Sequence, residues 1–172
     1  MKKEAIFPDT LPRPRVQYSP LVKAGPLVFI SGQVASDFEK GIPPAAKTND
    51  RFPHHGSNIE RQTDFIAKNL KTTLEAGGSS LENCLQMILY QTDVGEMHDA
   101  SKVIQQAFGQ AGVAPHTTVC IEELPVPDCT LEVDAIGFVP EKGEKIEVLN
   151  PSSLPCPVPT GLDDRPLFNY GT

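Results

Sequence analysis

The segment APHTTVCIEELPVPDCTLEVDAIGFVP, residues 114–140, constrains the fold more than any other part of the chain. Apolar and polar residues alternate on both sides of a proline-containing turn, which predicts two strands. His116, Thr118 and Cys120 share one parity on the first strand, so they point to one face. Glu132 and Asp134 share one parity on the second. Such a strand pair has two readings: the polar wall of a pocket, or an edge hairpin with a solvated face.

The helices are equally legible. Ser57-Asn58-Ile59-Glu60 matches a capping box, in which Ser caps the backbone and Glu reaches back. Ile59, Ile66, Leu70 and Leu74 repeat at helical spacing with Phe65, and Gly77-Gly78 supplies the stop. The spacing of Ala100, Val103, Ile104, Ala107 and Phe108 predicts a second helix over 97–110. Residues 16–24, 27–36 and 84–94 read as strands. Leu27 to Ile30 are continuously apolar, which predicts a buried strand, and Ser31-Gly32-Gln33 interrupts it as a bulge or a close backbone approach. The order β–β–α–β–α–β–β defines an α+β layer: one mixed sheet with two helices packed on one face.

The ends differ in composition. Residues 1–15 hold Pro8, Pro12 and Pro14, which forbid a regular helix and predict a strap over the surface. Residues 141–172 are again proline-rich and too short for a second domain, so they read as an extension of a 16–140 core. Residues 37–57 form a loop longer than an ordinary connection, and such loops often carry function. Its His54-His55 pair lacks the companions of a zinc site, and Cys84, Cys120, Cys129 and Cys156 match no zinc spacing, so free thiols and no metal are expected. The net charge of −7 disfavours nucleic acid as a partner. No apolar run is long enough to span a membrane, and no secretory h-region follows the first lysines, so a cytoplasmic location is expected.

VKAGPLVFISGQVASD, QTDFIAKNLKTTLEAGGSSLENCLQMILYQTDV, the Pro115–Val119 run and LPVPDCTLEVDAIGFV together resemble the Rid family, also called YjgF or L-PSP. The resemblance covers residues 16–140. The opening LPRP…Y…AG is similar to the 2-aminomuconate deaminase-like branch. The resemblance implies a chorismate-mutase-like fold assembled as a homotrimer, with a small-molecule site at each subunit interface and no cofactor. It implies a hydrolase that converts reactive imines or enamines to a carbonyl compound and ammonia.

Carried onto this chain, the resemblance assigns Glu132 to positioning the attacking water, with Ser31 and Gly32 lining the pocket. The family's Arg, which clamps a substrate carboxylate, falls at His116. Its site Tyr falls at Leu21, and a site Cys falls at Thr118. Cys120 shares the face of Thr118. Arg is always charged and bidentate; an imidazole is neither. Loss of such a contact costs about 2–5 kcal/mol when the partner stays buried. His116 is then a proton donor or a partner to a different substrate group, and Arg165 or Arg51 is the candidate replacement cation. The resemblance leaves a deaminase of altered substrate, a ligand-binding homologue without turnover, and an RNA-cleaving protein as readings, the last opposed by the acidic balance.

Overall fold

The computed structural model describes residues 2–14, 16–48, 56–109 and 113–141. Six strands, β1 (Lys3–Ile6), β2 (Leu21–Ala24), β3 (Leu27–Val34), β4 (Cys84–Gln91), β5 (His116–Cys120) and β6 (Leu131–Phe138), are interleaved with two helices, α1 (Asn58–Ala76) and α2 (Met97–Phe108). The strands form one mixed sheet in the order β1-β2-β3-β6-β4-β5. Every pairing is antiparallel except that of β4 with β5, whose connection contains α2. This is the α+β, YjgF-type sheet-and-two-helix architecture expected from the sequence.

Alternation along the strands gives the sheet one covered and one open face. Leu131, Val133 and Ala135 of β6, Val28 and Ile30 of β3, and Met87 and Leu89 of β4 are buried. They form one core with Ile59, Ile66, Leu70 and Leu74 of α1 and Ala100, Ile104 and Phe108 of α2. Each of the larger side chains among them contributes about 1.5–3 kcal/mol by leaving water, so this layer dominates the fold. The opposite face holds Ile88, Tyr90, Glu132, Asp134 and Ile136, all half-buried, and Phe29, 42% exposed. Among the described residues, no helix is long and apolar enough to cross a membrane.

Both ends of α1 are set locally. The Ser57 amide donates to Glu60 Oε2 at 2.7 Å, and the Glu60 amide donates to Ser57 Oγ at 3.4 Å. Gly78, at φ +84°, turns the chain out of the helix while the Ser79 amide donates to Leu74 O at 2.9 Å. Ser57→Ala is expected to lower the unfolding free energy by about 1 kcal/mol, read as a lower urea midpoint with an unchanged slope.

Several expectations are corrected. Residues 116–120 and 131–138 do not form a hairpin: β4 lies between them, and β5 is the sheet edge. Within the N-terminal strap, Lys3–Ile6 pair with β2 as the other edge strand. The strand expected over 16–24 is confined to Leu21–Ala24, because Pro20 has no amide to offer the ladder. Leu27–Ile30 alternate in burial instead of being buried on both faces, because the sheet is covered on one side only. Ala107 of α2 is exposed.

Candidate active site

A cavity of about 680 Å³ opens where the Ser31–Gly32 bulge of β3 meets Glu132 of β6. The β3–β6 register shifts between Ile30 and Gln33. The bulge is pinned from its neighbours: the Ser31 amide donates to Pro20 O at 3.0 Å, and its hydroxyl donates to Ser19 O at 2.8 Å. The Gln33 side-chain amide donates to Ser31 O at 2.9 Å. The Glu132 carboxyl lies across the Gly32 backbone, and a methyl group on Gly32 would overlap it. Glycine permits this close approach, and its backbone angle is ordinary.

Two loops and Tyr18 complete the walls. Ser36 Oγ accepts from the Phe38 amide at 2.9 Å, and Asp37 Oδ1 accepts from the amides of Glu39 and Lys40 at 2.9 and 2.6 Å. This tight turn holds Phe38 at φ +57° and brings Phe38 and Glu39 to the cavity. Pro125, Val126 and Pro127 of the loop before β6 also line the cavity. Gln62, buried in α1, fixes that loop: its amide donates to Asp128 O at 3.0 Å, and its carbonyl accepts from the Thr130 amide at 2.9 Å. Tyr18 enters from the segment before β2.

The electrostatics follow from burial. Glu132 is held above the usual carboxylate range by desolvation and then by the charge of Asp134. Burial also raises Asp134, although the Tyr90 hydroxyl, donating to it at 3.4 Å, opposes the shift. Burial and the Glu132 charge raise Tyr18. A half-buried carboxylate that keeps its proton more readily than in water is a candidate acid–base group. Burial pushes the thiols of Cys84 and Cys129 up to about 11, so neither is a nucleophile. Cys84, Cys120 and Cys129 are all free thiols.

Of the site residues expected from sequence, Ser31, Gly32 and Glu132 come together at this cavity. Leu21 does not: it is fully buried beneath α1, paired with Ile30 on the covered side of the sheet, so it is a core residue. Tyr18, three residues earlier, lines the cavity. The available signal was a lone tyrosine beside Pro20, the residue whose carbonyl anchors the bulge.

His116, Thr118 and Cys120 lie opposite Met87, Leu89 and Gln91, hence on the helix side of the sheet. Glu132 and Asp134 lie opposite Tyr90 and Ile88, on the open side. Within one chain, therefore, His116, Thr118 and Cys120 do not line the Glu132 cavity. His116 is exposed on the edge strand, with Nδ1 3.2 Å from Ala114 O. Arg165, Arg51 and the His54-His55 pair fall outside the described residues.

A helix-backed mixed sheet carrying a carboxylate over a glycine bulge defines a YjgF-type domain. The chain belongs to the Rid (YjgF, L-PSP) family: the family model described as Endoribonuclease L-PSP matches residues 9–139. A RutC family protein of Pyrococcus horikoshii is 32% identical over 136 residues, which cover 79% of this chain and 98% of the relative. The 3-aminoacrylate deaminase RutC of Acinetobacter baylyi is 26% identical over 140 residues, covering 81% of this chain and 100% of its own. Among solved structures, E. coli TdcF with bound serine matches with a TM-score of 0.65 at 25% identity, covering 78% of this chain and 98% of that one.

Proposed function

We propose that the chain is a Rid-type deaminase that hydrolyses a small reactive imine or enamine to a carbonyl compound and ammonia. The observation that carries this reading is the Glu132 carboxyl laid across Gly32 in the cavity, with its protonation held above the usual range. In the reaction, Glu132 takes a proton from water as the oxygen bonds to the C=N carbon. The nitrogen receives that proton to give a carbinolamine; the remaining hydroxyl proton then passes to the nitrogen by way of Glu132, the C–N bond breaks, and ammonia leaves as the C=O forms. The named relatives support the reading: one is a 3-aminoacrylate deaminase, and another holds serine.

His116 joins Glu132 from a second copy of the chain, in a homotrimer. Three features support this. His116 is exposed on an edge strand, it lies on the other side of the sheet from Glu132, and the open face carries exposed Phe29 and half-buried Ile88 and Ile136. The test is complementation. His116→Ala and Glu132→Gln are each expected to lose ammonia release, whereas equal mixtures refolded together regain about one quarter of the sites, by random pairing across the interfaces. Mixtures as inactive as the parents would sink the shared site.

Ligand binding without turnover is the second reading, favoured by His116 standing where the resemblance places Arg. His116→Arg separates the two. On the deaminase reading the variant gains hydrolysis of carboxylate-bearing imines, measured as ammonia release; no gain favours binding alone. RNA cleavage has less support. No Lys or Arg is among the described residues lining the cavity, and phosphate recognition draws on such cations.

A further inference from the structure

Two carboxyl groups share the open face of β6. Glu132 and Asp134 are two residues apart on the strand, so their side chains project to the same side. Both are half-buried, but their surroundings differ. Glu132 lies across Gly32 at the cavity. Asp134 borders a second hollow of about 210 Å³, lined in part by Phe29, Gln86, Ile88 and Ile136. The Tyr90 hydroxyl donates to Asp134 Oδ2 at 3.4 Å. Tyr90 itself stands directly opposite Glu132 on β4, so it reaches Asp134 along the diagonal and ties the two acids into one cluster.

A hydrogen bond donated to a carboxylate favours its charged form, so Tyr90 favours ionised Asp134. Aspartate also starts lower than glutamate, at about 3.9 against about 4.3. As the pH rises, Asp134 therefore loses its proton first. Burial, and then the Asp134 charge, opposes ionisation of Glu132. Tyr18, Tyr90 and Cys129 also sense the charge of Glu132. Glu39 lines the same cavity, and on the shared-site reading His116 of a second copy faces Glu132. Arg15 lies outside the described residues. Any cation brought to the cavity acts in wild type and variants alike, so the difference between them isolates Asp134.

Building on the deaminase reading, we propose that Asp134, kept ionised by the Tyr90 hydroxyl, is a positioning residue that directs the exchangeable proton of the pair to Glu132. It acts through Glu132 and not on the substrate.

The test follows the side-chain carboxyl carbons by NMR in the full-length protein, isotope-labelled at Asp and Glu. Each signal is assigned by its loss in Glu132→Gln or Asp134→Asn. In Asp134→Asn the Glu132 midpoint is expected to fall, because the opposing charge is gone. In Glu132→Gln the Asp134 midpoint is expected to stay, because Asp134 ionises while its neighbour is still neutral. In Tyr90→Phe the Asp134 midpoint is expected to rise. Asp134→Ser repeats the first measurement with a smaller side chain, and circular dichroism checks the fold of each variant. A Glu132 midpoint that stays or rises without the Asp134 carboxyl overturns the proposal. So does an Asp134 midpoint that falls in Glu132→Gln, or one that stays in Tyr90→Phe.

A second arm reads the acid limb of kcat/KM for ammonia release from the imine made by oxidising phenylalanine. The limb is expected to move to lower pH in Asp134→Asn. Turnover with an unmoved limb overturns the role of Asp134 in the reaction. No turnover by the wild type, with the titrations as expected, overturns the deaminase reading and leaves the proton assignment standing.

Discussion

Glu132→Gln is expected to slow ammonia release by about 100- to 10,000-fold, the range for loss of a positioned acid–base group. The amide keeps the shape that lies across Gly32 but cannot take the proton from water. Stability is expected to move the other way. Glu132 is raised in the folded chain, so its contribution to stability is fully present below the unfolded carboxylate value and is lost as pH rises through the folded one. At neutral pH the ionised group is therefore a cost, which the amide removes. The variant should melt at or above the wild-type temperature at pH 7, and the gap should close as the pH falls toward 4. Wild-type kcat/KM should show an acid limb above the ordinary glutamate value of about 4.3, and the variant should lack it. Unchanged ammonia release would exclude Glu132 as the base.

Gly32→Ala is expected to cost about 100-fold or more in kcat, on the same scale of acid–base loss, because the new methyl group displaces the Glu132 carboxyl. The obstacle is a side chain that can swing away, so the fold should survive with a loss of about 1–3 kcal/mol, the usual range for overpacking. Circular dichroism and thermal melting separate a displaced carboxylate from a collapsed bulge. Adding Glu132→Asp shortens the acid by one methylene and should recover part of the stability lost in Gly32→Ala. Wild-type turnover in Gly32→Ala would mean that the position of Glu132 over the bulge is irrelevant to the chemistry.

Much of this architecture was legible in the linear chain. The capping box at Ser57, the apolar repeat of α1, the alternation of β6 and the break at Ser31-Gly32 are all written in neighbouring residues. Their effects operate within a turn of helix or across a few residues of strand. Glu132 and Gly32 were reached by resemblance, and the close approach that glycine permits there emerged only from the packed chain. Leu21 shows where the resemblance misled. Its position in the motif matched a site tyrosine, but its parity beside Ile30 turns it under α1. Tyr18 reaches the cavity instead.

Side-chain periodicity fixed which residues of each strand share a face, because alternation is a property of extended backbone itself. It could not fix which strands become neighbours. Backbone hydrogen bonds join strands through amide and carbonyl groups common to nearly every residue, so adjacency is settled by how the whole sheet packs under its helices. That packing inserted β4 between β5 and β6. It put His116 and Glu132 on opposite sides of the sheet and gathered Tyr18, Phe38 and the 125–127 loop around the Glu132 carboxylate.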